Sequence, residues 1–213
     1  MPAPEREMTD VFEELARLGS ATVHEAAARS PVVDVELVQV IPGSRAAGPA
    51  RTVVCGQDDN LMVHAAVAEA EPGEVLVLTM PEPRPVALVG ELLATQAQGR
   101  GVAALLVDAA IRDLEELGEL GLPIWARYVR VSGAEKSVAG SIGRPVVVAG
   151  ATIRQGDALV LDADGVVVVE QERVDEVLAA ARDRAERELV KRAKLEAGEL
   201  SYDLDGLRQL VER

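Results

Sequence analysis

The chain has 213 residues, 48% hydrophobic and 27% charged, with 36 acidic side chains against 22 basic ones and a formal net charge of −14. That length supports one domain with a substantial core, with or without an appendage. No apolar run approaches the roughly 18 residues that a membrane-spanning helix needs. The acidity works against nucleic-acid binding, which requires a basic face on the phosphates, and aromatics at 2% (Phe12, Trp125, Tyr128, Tyr202) offer little base stacking. Cys55 is the sole cysteine, which excludes a disulfide framework and a cysteine-built zinc site within one chain. The first residues contain no apolar signal segment. These features lead us to expect a cytoplasmic protein with neither nucleic acid nor membrane as partner.

In chain order, Thr9 is placed to cap a helix carrying Val11, Phe12, Leu15 and Leu18 at helical spacing, and Gly19 stops it. Thr22 and Glu25 have capping-box spacing for a second short helix, which Ser30-Pro31 ends. Residues 51–55 suggest a strand. Asp58 or Asp59 starts a helix over 61–70, and the Pro72-Gly73 turn leads into a buried strand over 74–80. A proline-rich loop over 81–85 precedes a helix over 91–97. Residues 102–107 are expected as a strand, 111–120 as a helix and 123–128 as a strand. The alternation indicates βαβ units. After Gly140 the pattern turns to strands at 145–149, 158–162 and 166–169, with Asp164-Gly165 as a strong hairpin signal.

Residues 174–197 form one long helical stretch closed by Gly198. Val174, Val177, Leu178 and Ala181 give its first half an apolar face, whereas residues 182–194 are mostly charged. The charged half is either a solvated arm or an interchain contact; the second reading divides the chain into a single α/β domain over 1–173 and a helical arm over 174–213 that contacts a neighbouring subunit.

Several catalytic signatures are absent from the sequence, including a serine elbow, a phosphate-binding loop and a zinc-protease helix. Gly99 and Gly101 follow a helix and precede a strand, the reverse of a dinucleotide-binding turn, and are expected to end that helix. His24 and His64 lie in helices among alanines, where a hydrogen-bonded packing role is the usual one. What remains is a constellation around residues 90–113. Gly90-Glu91-Leu92-Leu93 opens a helix whose first amides can receive a carboxylate. The next strand leads to Arg112-Asp113, and ligands of open α/β sheets gather at the carboxyl ends of strands. A carboxylate there can hold a hard divalent cation, and a guanidinium can stabilise an oxyanion. Equally, the two could merely pair with neighbours at a helix start.

The segments GELLATQAQGRG and DAAIRD, with ATVHEA at 21–26, DNLMVHAAV at 59–67, GDALVLDADGVVVV at 156–169 and AGEL near the end, resemble the metal-dependent 4-hydroxy-4-methyl-2-oxoglutarate / 4-carboxy-4-hydroxy-2-oxoadipate aldolase family. That family also includes the regulator-of-ribonuclease-activity-A proteins. The resemblance implies an α/β fold, an α-β-β-α sandwich of the phosphohistidine-swivelling-domain type with a long C-terminal helix, assembled as a homotrimer or a dimer of trimers. It further implies class II aldolase chemistry on a small 2-oxo acid with Mg²⁺ or Mn²⁺, together with oxaloacetate decarboxylation. On the matching positions, the metal-binding acid falls on Asp113 and the enolate-stabilising guanidinium on Arg112. The substrate-binding turn falls on Gly90, Leu92 and Leu93, and the acid that orients water at the metal on Glu91. A further acid from a neighbouring subunit's C-terminal helix falls on Glu188, or on Glu186. The alternative function within the resemblance is a non-catalytic regulator that binds a ribonuclease. That branch lacks the acid after the arginine and the long helix, both of which this chain has.

Overall fold

The apolar runs separate into strands and helices largely as their periods dictate, in a computed structural model that describes residues 3–29 and 31–212. The helices are α1 (Ala3–Leu18), α2 (Ser20–Ala26), α3 (Leu61–Glu69), α4 (Glu91–Gly99), α5 (Leu114–Leu120), α6 (Val174–Glu196) and two short turns, α7 (Ser201–Leu204) and α8 (Arg208–Val211). The strands are β1 (Val38–Gln39), β2 (Ala46–Val54), β3 (Val75–Thr79), β4 (Ala87–Val89), β5 (Ala104–Ile111), β6 (Ile124–Val129), β7 (Ser141–Ile142), β8 (Val146–Val148), β9 (Ala151–Ile153), β10 (Ala158–Asp162) and β11 (Gly165–Val169).

One sheet runs in the order β1-β6-β5-β3-β2-β10-β11, with β4 attached to β5 and β7 to β2. Strands β2, β3, β5 and β6 are parallel, as the βαβ alternation requires. Strand β2 pairs with β10 through Ala46–Pro49 and with β3 from Ala50 onward, so the sheet curls along that one strand. Three apolar interiors result. Val63, Ala94 and Leu117 of α3, α4 and α5 close on Leu78, Leu105 and Val107 of the sheet. Inside the curl, Val77, Leu106 and Trp125 meet Val148, Ile153, Leu159 and Val168. On the far side Leu15, Val23, Val177, Leu178 and Ala181 cover Val160 and Val167. The layers therefore run helices, strands, strands, helices. Among the described residues no helix is long and apolar enough to cross a membrane.

Several boundaries differ from expectation. Helix α1 begins at Ala3 rather than at Thr9; a proline such as Pro4 is tolerated in a first turn. The Thr9 side chain lies outside the described residues. Helix α2 begins at Ser20 instead of near Thr22. Its start is held from a distance, because the Ser20 amide and hydroxyl both donate to the Asp162 carboxylate, at 2.7 and 2.6 Å. Gly19 does break the chain between the helices, at φ 85°. The strand expected over 51–55 starts earlier, at Ala46, because β10 supplies a partner for its first half.

The largest shift lies at residues 108–113. The strand expected to stop at Val107 continues to Ile111, and the helix expected from Ile111 starts at Leu114. Flanking backbone explains this: Ala110 and Ile111 pair with Tyr128 and Val129 on one side, and with Ala87 and Val89 on the other. Strand β4 forms just beyond the proline-rich 81–85 loop, where no strand is expected from sequence. Between Val107 and Ala110 the register with β6 shifts, and there the buried Asp108 accepts a 2.6 Å hydrogen bond from Arg127 Nε. Burial pushes the Asp108 carboxyl up from its ordinary range, and the Arg127 guanidinium opposes that push.

Removing one member of such a pair strands a buried charge, at a typical cost of about 3–5 kcal/mol. Arg127→Met should therefore lower stability by an amount of that order in a chemical-denaturation titration. Asp108→Leu combined with Arg127→Met should recover most of the loss. A single variant as stable as the wild type would contradict this account of the pair.

Candidate active site at the carboxyl ends of the central strands

Three chain segments meet at the carboxyl end of β5, and each is shaped by a small local feature. After Ile111 the chain enters Arg112 and then Asp113, whose backbone is left-handed at φ 59°, ψ 46°. Aspartate is among the few residues that visit this region readily. The turn starts α5, in line with the hydrogen bond from Leu117 N–H to Asp113 O at 2.9 Å. The second segment is the junction of β4 and α4. Arg112 N–H donates to Val89 O at 3.1 Å, which fixes the two segments side by side.

Gly90 lies in this junction with an extended backbone, so its conformation does not demand glycine. Proximity does. A Cβ at position 90 would lie 2.5 Å from Asp113 Oδ2 and 3.2 Å from Arg112 Cγ and Nε. The absent side chain allows Glu91 N–H to donate to Asp113 Oδ2 at 3.1 Å. The same oxygen lies 3.7 Å from Arg112 Nε. Helix α4 begins its own ladder only with Ala94 N–H donating to Gly90 O. The amides of Leu92 and Leu93 therefore precede that ladder, and glycine provides no side-chain cap. Arg112 and Asp113 are about half exposed, at 49% and 40%.

The third segment, residues 130–142, crosses the strand ends. Arg130 N–H donates to Ile111 O, and Ala87 N–H to Ser132 O. Gly133 lies against the guanidinium, since a Cβ there would be 2.6 Å from Arg112 Nη1. Farther along, the buried Asp59 carboxylate receives Ser137 N–H at 2.6 Å and Val138 N–H at 3.0 Å, and its other oxygen receives Leu61 N–H at 2.8 Å. Burial disfavours the Asp59 charge, but these donors outweigh it and hold the carboxyl below its usual range. Burial and the nearby Asp59 charge push the Cys55 thiol up to about 12, so it offers no thiolate at neutral pH.

The site residues expected from sequence thus fall into two groups. Gly90, Glu91, Leu92, Leu93, Arg112 and Asp113 come together around one junction. Glu188 does not join them within the chain: it lies on the outer half of α6 and pairs with Arg184 at 2.8 Å. Glu186 lies on the same stretch of α6. One ring nitrogen of each helical histidine, His24 Nδ1 and His64 Nε2, is buried without a hydrogen-bond partner among the described residues. The contribution of Gly133 and of Asp59 to the surroundings of Arg112 is not visible in sequence spacing. Among the described residues, no group of three or more His, Cys, Asp or Glu is placed to hold a metal ion.

A protein of Halalkalibacterium halodurans named "Putative 4-hydroxy-4-methyl-2-oxoglutarate aldolase" is 37% identical over 137 residues, covering 64% of this chain and 65% of that relative, just under two thirds of its length. A solved structure from Streptomyces coelicolor, described as RraAS2, an unusual member of the RNase ES inhibitor RraA protein family, is 28% identical with a TM-score of 0.77 over 86% of this chain and 96% of the other. An uncharacterized Pseudomonas syringae protein, at 23% identity, shares the fold with a TM-score of 0.81 over 90% of this chain and 91% of that one. The RraA-like model, described as Aldolase/RraA, matches residues 10–168. The chain belongs to the RraA-like, Aldolase/RraA family.

Proposed function

We propose that this protein is a divalent-metal-dependent carbon–carbon lyase that cleaves 4-hydroxy-2-oxo dicarboxylic or tricarboxylic acids to pyruvate or oxaloacetate and also decarboxylates oxaloacetate. The observation that carries the reading is the junction at Gly90, where a carboxylate, a guanidinium and the first amides of a helix converge. The curated relative named as an aldolase agrees with it. A hard cation fits the donors present, since Asp113 supplies carboxylate oxygen, Glu91 is the next acid along the junction, and Mg²⁺ or Mn²⁺ held by one or two carboxylates keeps much of its water. When bound, such an ion supplies Lewis acidity toward the keto group and its neighbouring carboxylate.

The chain's own residues divide the rest of the work. The amides of Leu92 and Leu93 would receive the carboxylate next to the keto carbon. Arg112 would donate to the keto oxygen. As the bond between C3 and C4 breaks, its electron pair moves onto C3 and the keto oxygen becomes an enolate, which the guanidinium stabilises. The C4 hydroxyl gives up its proton as that carbon becomes a carbonyl, and C3 later takes one up. Glu91, with Glu188 from a neighbouring subunit, would orient the water that carries this proton. Loss of CO₂ from oxaloacetate leaves the same enolate, so one site serves both reactions.

We place the active site between subunits of a homotrimer or dimer of trimers, in a cytoplasmic protein of the swivelling-domain type. Two features support the assembly. Leu92 presents an apolar side chain, 74% exposed, at the site itself. On the arm, Leu189 and Val190 are exposed at 68% and 61%. The second reading, a ribonuclease regulator acting by protein contacts, is favoured by the likeness to the Streptomyces structure. The Arg112-Asp113 pair and the long arm weigh toward the enzyme.

Asp113→Asn should abolish pyruvate release while leaving the assembled protein unchanged in sedimentation, and exhaustive chelation of the wild type should do the same. Full turnover after chelation would contradict the metal's role. Arg112→Lys keeps the charge but loses the planar fork, and should lower kcat by about 10²–10³ with a smaller change in KM. A lysine variant altered only in KM would reassign Arg112 to ground-state binding. Finally, mixing Asp113→Asn with Glu188→Gln under conditions that exchange subunits should restore activity, because some sites would then pair an intact Asp113 with an intact Glu188. A mixture that exchanges yet stays inactive would refute the shared site.

A further inference from the structure

We infer that Asp59 is a positioning residue for Arg112, acting through the strap formed by residues 130–142; the inference rests on the lyase reading given above. The guanidinium lies between two positions that lack a Cβ. Gly90 forms one wall, against Cγ and Nε, and Gly133 the other, against Nη1. The first wall belongs to the rigid junction of β4 and α4. The second belongs to a surface segment whose side chains are largely exposed: Val131 is 87% exposed and Val138 49%. Such a segment has little apolar burial to fix it, so its position depends on hydrogen bonds.

At its start the strap is held by β4, where Ala87 N–H donates to Ser132 O and Ala87 bridges Gly133; beyond Gly133 its bonds converge on residues 58–60. Glu135 N–H donates to Asp58 O, and Asn60 N–H donates back to Glu135 O, both at 2.9 Å. Asp59 adds the charged anchor, taking Ser137 N–H, the Ser137 hydroxyl and Val138 N–H on one oxygen. Its other oxygen takes Leu61 N–H, at the first turn of α3. Gly56 packs so closely on Val138 that a Cβ there would come within 2.6 Å of it. A buried carboxylate thus ties the strap to the start of a core helix, four residues beyond the glycine that touches Arg112. An arginine side chain has several rotatable bonds, and a slot closed on both sides restricts them before substrate arrives.

The test compares Asp59→Asn with Asp157→Asn. Asp157 is also a buried carboxylate, accepting Arg154 N–H and Gln171 N–H, but it anchors a turn away from the strap. Asp59→Asn should lower kcat about ten- to a hundredfold with little change in KM, the scale expected of a misplaced catalytic group. It should also speed amide exchange over residues 133–138. Asp157→Asn should do neither, even if it lowers the melting temperature equally. Equal kcat losses in the two variants, or unchanged kcat in Asp59→Asn, would overturn the inference. If Asp59→Asn fails to fold, Gly133→Ala takes its place: a methyl against Arg112 Nη1 should lower kcat with KM nearly constant, and an unaffected kcat would overturn the slot. If the wild type releases no pyruvate, the lyase reading fails by itself. The strap is then judged by the rate at which an arginine-selective dicarbonyl reagent modifies Arg112, followed by mass spectrometry. That rate should rise several-fold in Asp59→Asn and not in Asp157→Asn, and equal rates would refute the positioning role.

Discussion

The hydrogen bond from Glu91 N–H to Asp113 Oδ2 ties two neighbouring βα junctions into one site. It joins the first turn of α4 to the residue that opens α5, and it forms only because position 90 carries no Cβ. Asp113 can turn back toward α4 because it adopts a left-handed backbone immediately after the strand. That conformation carries a small strain, common at functional sites, which the surrounding bonds must hold in place. One glycine and one tolerant aspartate therefore place an acid, a guanidinium and a set of free amides around a common point.

The remaining architecture supplies rigidity behind that point. Strand β5 is buried along its whole length and carries Arg112 at its end. It is paired on both sides, by β3 and then β4 on one edge and by β6 on the other. The Asp108–Arg127 pair sits where the register with β6 shifts, so an irregular stretch of backbone is fastened by a charge-assisted bond. The face opposite α3, α4 and α5 is filled by β8 to β11, and α1, α2 and the first half of α6 cover β10 and β11 in turn. Among the described residues the second half of α6 has no such cover, and Leu189 and Val190 stand exposed on it.

Much of this was legible in the sequence, for reasons that are local. The β10–β11 hairpin is signalled by Asp164-Gly165 between two apolar runs, but the observed register pairs Asp162 with Gly165, so the turn itself is Ala163-Asp164 and Gly165 opens β11. The start of α4 follows from Gly90 and the apolar spacing after it, and the end of α6 follows from Gly198 at φ 94°. What sequence did not reveal depends on distant partners. Ala109, Ala110 and Ile111 have helix-compatible composition and become strand because β4 and β6 flank them. Ser20 begins a helix because Asp162, far along the chain, accepts its bonds. Gly133 and Asp59 belong to the site through a crossing strap that no short motif encodes.

In the function proposed above, the Gly90, Arg112 and Asp113 junction stabilises an enolate made by carbon–carbon cleavage. The most direct test of that role is a coupled pyruvate-release assay of the wild-type protein on 4-hydroxy-2-oxo diacids and on oxaloacetate, run with Mg²⁺ or Mn²⁺ and again with chelator. Release is expected from both substrate types, abolished by chelator in parallel because the two reactions share one enolate. Absence of release from every substrate, or release that survives chelation, would contradict it.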